Sequence, residues 1–569
     1  MSYTLEHFFT GKFFKIPNYQ RDYSWEVENI DDLIDDIIES IETSTNHYIG
    51  TFILAKTNDS KVYNVVDGQQ RLTSLTMLLS VAIRELANET QKIIFRDKFI
   101  IDSNGTWRLQ LLNDNSIYLQ NIFEGKKPNP ETKSQSLLKQ AYEQIEQRIK
   151  ALKLNKNCSH FLESIKQLEV MEFIESNDGK AIRIFQTVND RGKALSNVDK
   201  AKSLLIYYSN RFLNGKLDDF INAKFGEIFH YFNEIKTISD ENNIDIIRQR
   251  RFSEDSVMRY HFLSYAEDKY DYKATEDYVL NVYLKTTLKG IKSDQEKLEY
   301  FINDYVGDLN IFFKSFLNII KKVPTNDNYY KLFSILGISA FIYPLTIRLE
   351  TRNFLEEKGL NSPLKFIDLI EITDLRVYKI RGTDPARDIS YLARDSKKLD
   401  KKEIEERLVE FTKLFMSDAE LSRRLDIEIY PNVGLTYILI EYDQSLINKK
   451  YTIYELKEFN RMTPTIEHIF PREARFDFPN YEFDSHDKYV GKINKIGNLT
   501  ILEKSLNSLC SEKNPDQKIK ENLYARSAFE GPKQISADIK NRGTSFVESD
   551  INKRGKKITD FCMKRWPIK

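Results

Sequence analysis

Residues 62–86 read VYNVVDGQQRLTSLTMLLSVAIREL, and this stretch decides the fold of the N-terminal part of the chain. The run from Val62 to Val66 is typical of a short strand. Asp67-Gly68 follows as a tight turn, and apolar residues at helical spacing from Gln70 to about Leu86 predict a helix. A strand, a polar turn and a helix in this order form a common site for phosphate groups.

The polar side chains of this turn suit an anion or a metal ion. Gly68 lets the backbone turn tightly and approach a ligand. Free amides at the helix start and the planar guanidinium of Arg71 can bind phosphate. Asp67 can hold a divalent cation or orient a water, and Gln69 and Gln70 can donate or accept hydrogen bonds. A capped helix start with a surface arginine explains the same residues, so both interpretations stay open.

The residues around this turn predict a mixed α/β block up to about residue 210. An amphipathic helix is indicated by apolar residues at positions 30, 33, 34, 37, 38 and 41, and residues 48–55 predict a further strand. Two more polar clusters lie at residues 16–25 (IPNYQRDYSW) and 185–203 (FQTVNDRGKALSNVDKAKS). Each adds an arginine with amide or aromatic neighbours, which favours a functional site.

The three clusters together resemble the hallmark blocks of the DGQQR-motif domain. This distantly ParB-like domain forms the N-terminal half of GmrSD-type modification-dependent (type IV) restriction endonucleases and occurs in SspE-like proteins. The resemblance implies binding and hydrolysis of a nucleoside triphosphate, whose base it does not specify. The site residues that it implies here are Gln20, Arg21, Asp67, Gly68, Gln69, Gln70, Arg71, Asn189, Arg191 and Gly192.

The last block, from about residue 441, carries a second set of polar residues. Glu467-His468 lies in TIEHIFP, Asn498 in KIGNLTIL, and Asn507 in LNSL. A strand with a histidine, a loop asparagine and a helix that presents a metal ligand form a ββα-metal arrangement. A neutral histidine suits general-base activation of water for phosphodiester hydrolysis, and Mg²⁺ or Mn²⁺ would stabilise the developing charge.

Each of these residues has an expected role in that chemistry. His468 is the expected base, and Asn498 is expected to hydrogen-bond around the histidine loop and orient the imidazole. The amide oxygen of Asn507 suits a hard cation, and Glu467 is a second candidate ligand. A lone histidine or asparagine is more often structural, but the ordered set favours catalysis.

This block also resembles the HNH-type nuclease domain of GmrSD-like proteins, with EHI.P, GNLTLL and LNSSLS-type motifs. The sequence departs from these motifs at Phe470, Ile501 and Cys510. Many HNH domains have Asp before the histidine and His at the last position, where this chain has Glu467 and Asn507. The resemblance implies a metal-dependent endonuclease.

Composition limits the remaining possibilities. The 85 basic and 85 acidic side chains balance, so a sequence-blind DNA coat is excluded and any DNA contact should be local. From Ile551 onward seven basic residues face one acidic residue, which suits either a solvated tail or a phosphate contact. Three scattered cysteines exclude a paired-cysteine zinc site and suit a reducing cytoplasm. No signal peptide or membrane span is expected.

We therefore expect an α+β, predominantly helical protein with three domains. These are a nucleotide-binding domain (1–210), a helical scaffold or recognition region (211–440) and a nuclease domain (441–569). The expected function is nucleotide-regulated, metal-dependent nicking or cutting of modified phage DNA in the bacterial cytoplasm. A homodimer is the expected assembly if both strands are cut, since double-strand cutting is simplest with two active sites. Two alternatives stay open, a nucleotide-hydrolysing reader of DNA modification with a vestigial nuclease domain, and an abortive-infection nuclease.

Overall fold

The computed structural model describes residues 2–17, 20–42, 48–154, 161–176, 196–249, 251–355, 362–378, 384–473 and 475–568. Helices predominate in these residues, together with one six-stranded and one two-stranded sheet. The expected fold class, α+β and predominantly helical, is therefore confirmed for the described residues. None of the described helices is long and apolar enough to cross a membrane.

The chain divides into two compact units. The first contains residues 1–237, 254–258 and 275–314, and the second contains residues 238–253, 259–274 and 315–569. The boundaries near residues 210 and 440 stay predictions.

The six-stranded sheet lies in the first unit and is mixed. Its strands are β1 (Ser2–Thr4), β2 (Phe13–Lys15), β3 (Tyr48–Lys56), β4 (Val62–Asp67), β5 (Leu109–Gln110) and β6 (Glu169–Glu175), in the order β1-β6-β3-β4-β2-β5. The β1/β6 and β3/β4 pairs are antiparallel, whereas β3/β6, β2/β4 and β2/β5 are parallel. The predicted strands at 48–55 and 62–66 are thus confirmed, and the structure shows that they pair with each other.

Helices pack against this sheet through their apolar faces. They are Leu5–Phe9, Val27–Glu42, Gln69–Leu86, Glu89–Phe99, Asn115–Phe123, Lys133–Leu154 and Phe161–Gln167. The predicted amphipathic helix is the one over Val27–Glu42, and Ile30, Ile34 and Ile37 are fully buried on its inner face. The helix after the Asp67-Gly68 turn is buried along most of its length, with the hydroxyl residues Thr73, Ser74 and Thr76 among its buried side chains, and its apolar residues belong to the core.

The described residues between 197 and 426 are mostly helical, and the sequence predicts a helical region from residue 211 onward. The α-helices are Asn197–Phe212, Asp218–Glu241, Asp245–Arg248, Glu254–Tyr265, Glu276–Tyr278, Lys285–Ile291, Gln295–Lys322, Asp327–Tyr330, Tyr343–Thr351, Pro363–Leu369, Asp384–Asp395, Lys401–Phe415 and Asp418–Asp426. A 3₁₀ turn covers Ala340–Ile342, and π-helical segments cover Val279–Leu284, Lys331–Leu336 and Ile370–Val377.

The C-terminal part of the second unit surrounds a short antiparallel sheet. Strand β7 (Thr465–His468) pairs with β8 (Leu499–Leu502), and His468 lies opposite Leu499. The helix Lys504–Cys510 follows β8 and contacts β7. The other elements are helices Leu435–Leu446, Ile453–Arg461, His486–Ile493, Pro515–Lys520, Glu530–Arg542 and Glu548–Arg565, with 3₁₀ turns Phe478–Tyr481 and Ile496–Asn498.

Candidate functional sites

His468 is the last residue of β7 and is largely buried. Its Nε2 lies 3.3 Å from Oδ1 of Asn494, and because an amide oxygen only accepts, Nε2 is the protonated nitrogen when this bond forms. The Tyr430 ring packs edge-on against the imidazole at 4.6 Å between centroids. Burial lowers the pKa of His468 to about 4. The imidazole is therefore neutral near pH 7, and in the tautomer that donates to Asn494 the lone pair is on Nδ1.

Glu467 points away from His468, because neighbouring residues on a strand face opposite sides. Its Oε1 accepts from Nζ of Lys518 at 2.6 Å and from the Tyr524 hydroxyl at 2.9 Å, and the Lys518 side chain is fully buried. The same ammonium donates to the carbonyl oxygens of His468 and Ile469 at 2.7 and 3.0 Å. The structure thus places Glu467 in a buried ion pair that fixes the end of β7.

Asn498 is fully buried and holds the segment that follows His468. Its Oδ1 accepts from the Phe470 amide at 2.9 Å, and its Nδ2 donates to the carbonyls of Phe470 and Ile493 at 3.1 and 2.9 Å. Its own carbonyl accepts from the Ile469 amide at 2.8 Å. These bonds join the 3₁₀ turn before β8 to the end of β7, beside His468.

Asn507 lies on the helix Lys504–Cys510 and contacts the beginning of β7. Its Nδ2 donates to Oγ1 of Thr465 at 2.7 Å and to the carbonyl of Ile466 at 3.2 Å. This orientation leaves Oδ1 without a hydrogen-bond donor in the described part of the chain, so it is an oxygen that a cation could contact. Among the described residues, no group of three or more His, Cys, Asp or Glu side chains is placed to hold a metal ion.

In the first unit, the Asp67-Gly68 turn connects β4 to the helix Gln69–Leu86. Gly68 has a φ of +90°, and a Cβ there would lie 2.5 Å from the Phe52 ring, so only glycine fits. Arg71 donates from Nη1 to the Ile49 carbonyl at 2.9 Å and stacks over Phe52. Burial raises the pKa of Asp67, and the charge of Arg71 opposes this shift.

The first and second sequence motifs meet beside this turn. Gln20 donates from Nε2 to the carbonyl of Val66 at 2.8 Å. Gln70 accepts at Oε1 from the Ser24 amide at 2.9 Å and donates from Nε2 to the Asp22 carbonyl at 3.1 Å. Gln20 and Gln70 therefore link the two motifs, and Gln69 and Gln70 both line a cavity of about 10 Å³. This space suits one water molecule and is too small for a nucleotide.

Arg21 connects the first motif to the third. Its guanidinium bonds to the carboxylates of Asp199 and Glu254, each at 2.5 Å, and to the Ser196 hydroxyl, and it lies over the Phe229 ring. Two carboxylates thus already neutralise this arginine. The other residues predicted from the third motif, Asn189, Arg191 and Gly192, lie outside the described residues.

Four residues at the candidate His468 site are not predicted by the sequence motifs. Lys518 and Tyr524 hold Glu467, while Asn494 and Tyr430 contact the imidazole. A lysine in a charged, helix-forming segment carries no sign that it will be buried. Asn494 is four residues before Asn498 and could have been noticed as part of the same loop.

Comparison with known families gives two matches along the chain. A model described as "GmrSD restriction endonuclease, N-terminal domain" matches residues 5–206, and one described as "GmrSD restriction endonucleases, C-terminal domain" matches residues 417–561. Together they cover more than half of the sequence, and they contain the Asp67-Gly68 turn and His468 respectively. No curated protein matches the sequence.

Proposed function

The chain belongs to the GmrSD family of restriction endonucleases, and from this membership we propose a nucleotide-regulated, metal-dependent enzyme that nicks or cuts modified phage DNA. Family membership supports the general part of this proposal, an endonuclease that acts on DNA in phage defence. The observation that carries the finer proposal is the neutral, largely buried His468 at the end of β7, held in place by Asn498.

His468 is the proposed general base. Nε2 bonded to Asn494 leaves the Nδ1 lone pair to accept a proton from the water that attacks phosphorus. Because burial keeps the imidazole neutral, this lone pair is present at physiological pH. Asn498 fixes the backbone on the C-terminal side of His468, which keeps the ring in one orientation during the reaction.

The described residues at this site offer few ligands for a divalent cation. When bound, Mg²⁺ or Mn²⁺ would supply positive charge for the phosphate. Asn507 Oδ1 is the side-chain oxygen that we propose to contact it, and such ions commonly take their remaining ligands from water and substrate phosphate. Glu467 would first have to leave its pair with Lys518, at 2.6 Å, before it could bind a cation.

The Asp67-Gly68 turn is the proposed nucleotide site. Gly68 brings the backbone close to a ligand, and the helix that begins at Gln69 offers free amides to phosphate. Arg71 contributes positive charge next to Asp67. Since the cavity beside Gln69 is too small, we propose that the nucleotide binds on the outside of the turn.

A nucleotide-hydrolysing reader with an inactive nuclease domain is the second candidate. The observation that favours it is the buried Glu467–Lys518 pair, which occupies the carboxylate that directly precedes His468 in the sequence. The two candidates differ in whether purified protein breaks phosphodiester bonds.

The test is a cutting assay with unmodified, glucosyl-hydroxymethylcytosine-containing and phosphorothioated plasmids. Each plasmid is incubated with Mg²⁺ or Mn²⁺, with and without each nucleoside triphosphate, and phosphate release is measured in parallel. We expect cutting of a modified plasmid and loss of phosphate release in Asp67→Ala, because that variant removes the carboxylate of the turn. Phosphate release without cutting of any plasmid would support the reader instead.

The pH dependence of cutting tests the role of His468 separately. A base must be unprotonated, so activity requires a pH above the pKa of His468, which burial lowers from 6.5 to about 4. We expect kcat/KM to stay level down to roughly pH 5.5 and to fall as the pH drops towards 4. Circular dichroism at each pH controls for unfolding. A fall centred near pH 6.5 would contradict a buried, neutral base.

A further inference from the structure

The second unit contains a cavity that the proposed function does not use. It has a volume of about 350 Å³ and lies between the helices Leu435–Leu446, Glu530–Arg542 and Glu548–Arg565. Tyr442, Ile535 and Phe546 form part of an apolar and aromatic wall, and basic residues of the last helix form another. A cavity of this size with both kinds of wall suits a small organic ligand that carries charge.

The charges around the cavity are unbalanced. Arg542 is neutralised by Asp550 through two bonds of 2.7 and 2.8 Å. Lys553 and Lys557 are one helical turn apart, and neither forms an ion pair within the described residues. Asp538, on the helix Glu530–Arg542, is the remaining acidic residue of the wall.

Arg554 adds a further positive charge that no carboxylate pairs with in the described part of the chain. The carboxylate of Asp443, which lies close enough to influence Arg554, is already bonded to the Tyr451 hydroxyl and to the amides of Glu530 and Gly531. Burial lowers the pKa of Arg554 to about 10, so the guanidinium stays charged at neutral pH. An anion in the cavity would offset the cost of burying this charge.

Arg554 also holds the turn that carries Asn498. Its Nη1 donates to the carbonyls of Ile496 and Gly497 at 3.2 and 3.0 Å, and to that of Leu499. Gly497 itself lies against the helix Glu548–Arg565, where an added Cβ would be 1.9 Å from the Ile551 carbonyl. The turn is therefore both packed and hydrogen-bonded against this helix.

We propose that this cavity binds a nucleotide unit, with its base or sugar against the aromatic wall and its phosphate at Lys553, Lys557 and Arg554. Such a unit can come from a free mononucleotide or from a nucleotide of the DNA. A bound phosphate attracts Arg554, which shifts the turn that fixes the backbone beside His468. Only this last effect, on cutting, rests on the proposed function; the binding site itself does not.

Hydrogen–deuterium exchange of the full chain tests the site with GMP, GTP, inorganic phosphate and short duplex DNA, all without divalent metal. We expect slower exchange in peptides from residues 530–557 with a nucleotide or with DNA. In Lys553→Gln/Lys557→Gln the half-saturating concentration should rise about tenfold, as for lost hydrogen bonds to a charged group. Protection by GMP or GTP identifies a free nucleotide, whereas protection by DNA alone identifies a nucleotide of the duplex.

The matched control is Lys556→Gln/Lys564→Gln, which removes two exposed charges from the same helix but outside the cavity. It should bind like the wild type. Equal protection in both double variants, or none in these peptides with any probe, would overturn the proposal. So would protection by inorganic phosphate that no nucleotide or DNA exceeds. Because exchange does not depend on cutting, His468→Ala should show the same protection even if no DNA is cleaved.

Discussion

Replacing His468 by alanine is expected to abolish DNA cutting while the protein stays folded. Loss of a positioned general base costs about 10²–10⁴-fold in rate, and His468 is the titratable group at this site that is both neutral and next to the Asn498 turn. The measurement is single-turnover cleavage of the plasmid that the wild type cuts, at saturating protein. Nucleotide hydrolysis should continue at the wild-type rate.

His486→Ala is the matched control for this variant. His486 begins the helix His486–Ile493, is exposed, and packs against the Phe478 ring. It takes no part in the contacts of His468, so cutting should be unchanged. Because His468 is largely buried, thermal unfolding of both variants must accompany the assay. A folded His468→Ala protein that cuts at the wild-type rate would rule out His468 as the base.

Local patterns predicted the elements that carry both sites. The strand-like run, the Asp67-Gly68 turn and the helical spacing in residues 62–86 predicted β4, the turn and the following helix, because each signal is contained in a few consecutive residues. A strand at His468 and a helix at Asn507 were instead expected from the order of the motifs that contain His468, Asn498 and Asn507. The side chains that contact the site residues were not predictable, because they come from distant parts of the sequence. Glu254, which pairs with Arg21, is an example.

The basic stretch from Ile551 onward is a second case in which the sequence did not predict the contacts of its side chains. Composition left a solvated tail and a phosphate contact equally open. The structure places Arg565 in ion pairs with Glu441 and Asp368, and Arg554 against backbone carbonyls. Charge counting could not distinguish these roles, because a buried arginine with a partner and an exposed one are identical in composition. Of this stretch, Lys553 and Lys557 stay exposed beside the cavity.

Replacing Lys518 by methionine is expected to destabilise the second unit strongly. Methionine fills a similar volume but leaves the Glu467 carboxylate buried without its cation, and removing one partner of a buried ion pair costs about 3–5 kcal/mol. The carbonyls of His468 and Ile469 also lose their donor. We expect the melting temperature of the corresponding transition to fall by about 10 °C, measured by differential scanning calorimetry.

A double-mutant cycle with Glu467→Leu separates the ion pair from simple packing. In Lys518→Met/Glu467→Leu no buried charge is left unpaired, so stability should recover in part and the two effects should not add. Recovery should stay incomplete, because the two carbonyls at the end of β7 still lack a donor. Lys520→Met, an exposed position on the same helix, is the control and should be neutral. Strictly additive losses would show that Glu467 and Lys518 do not act as a pair. If the pair positions His468, cutting by the double variant should fall even at temperatures where the protein is fully folded, which a purely structural role would not produce.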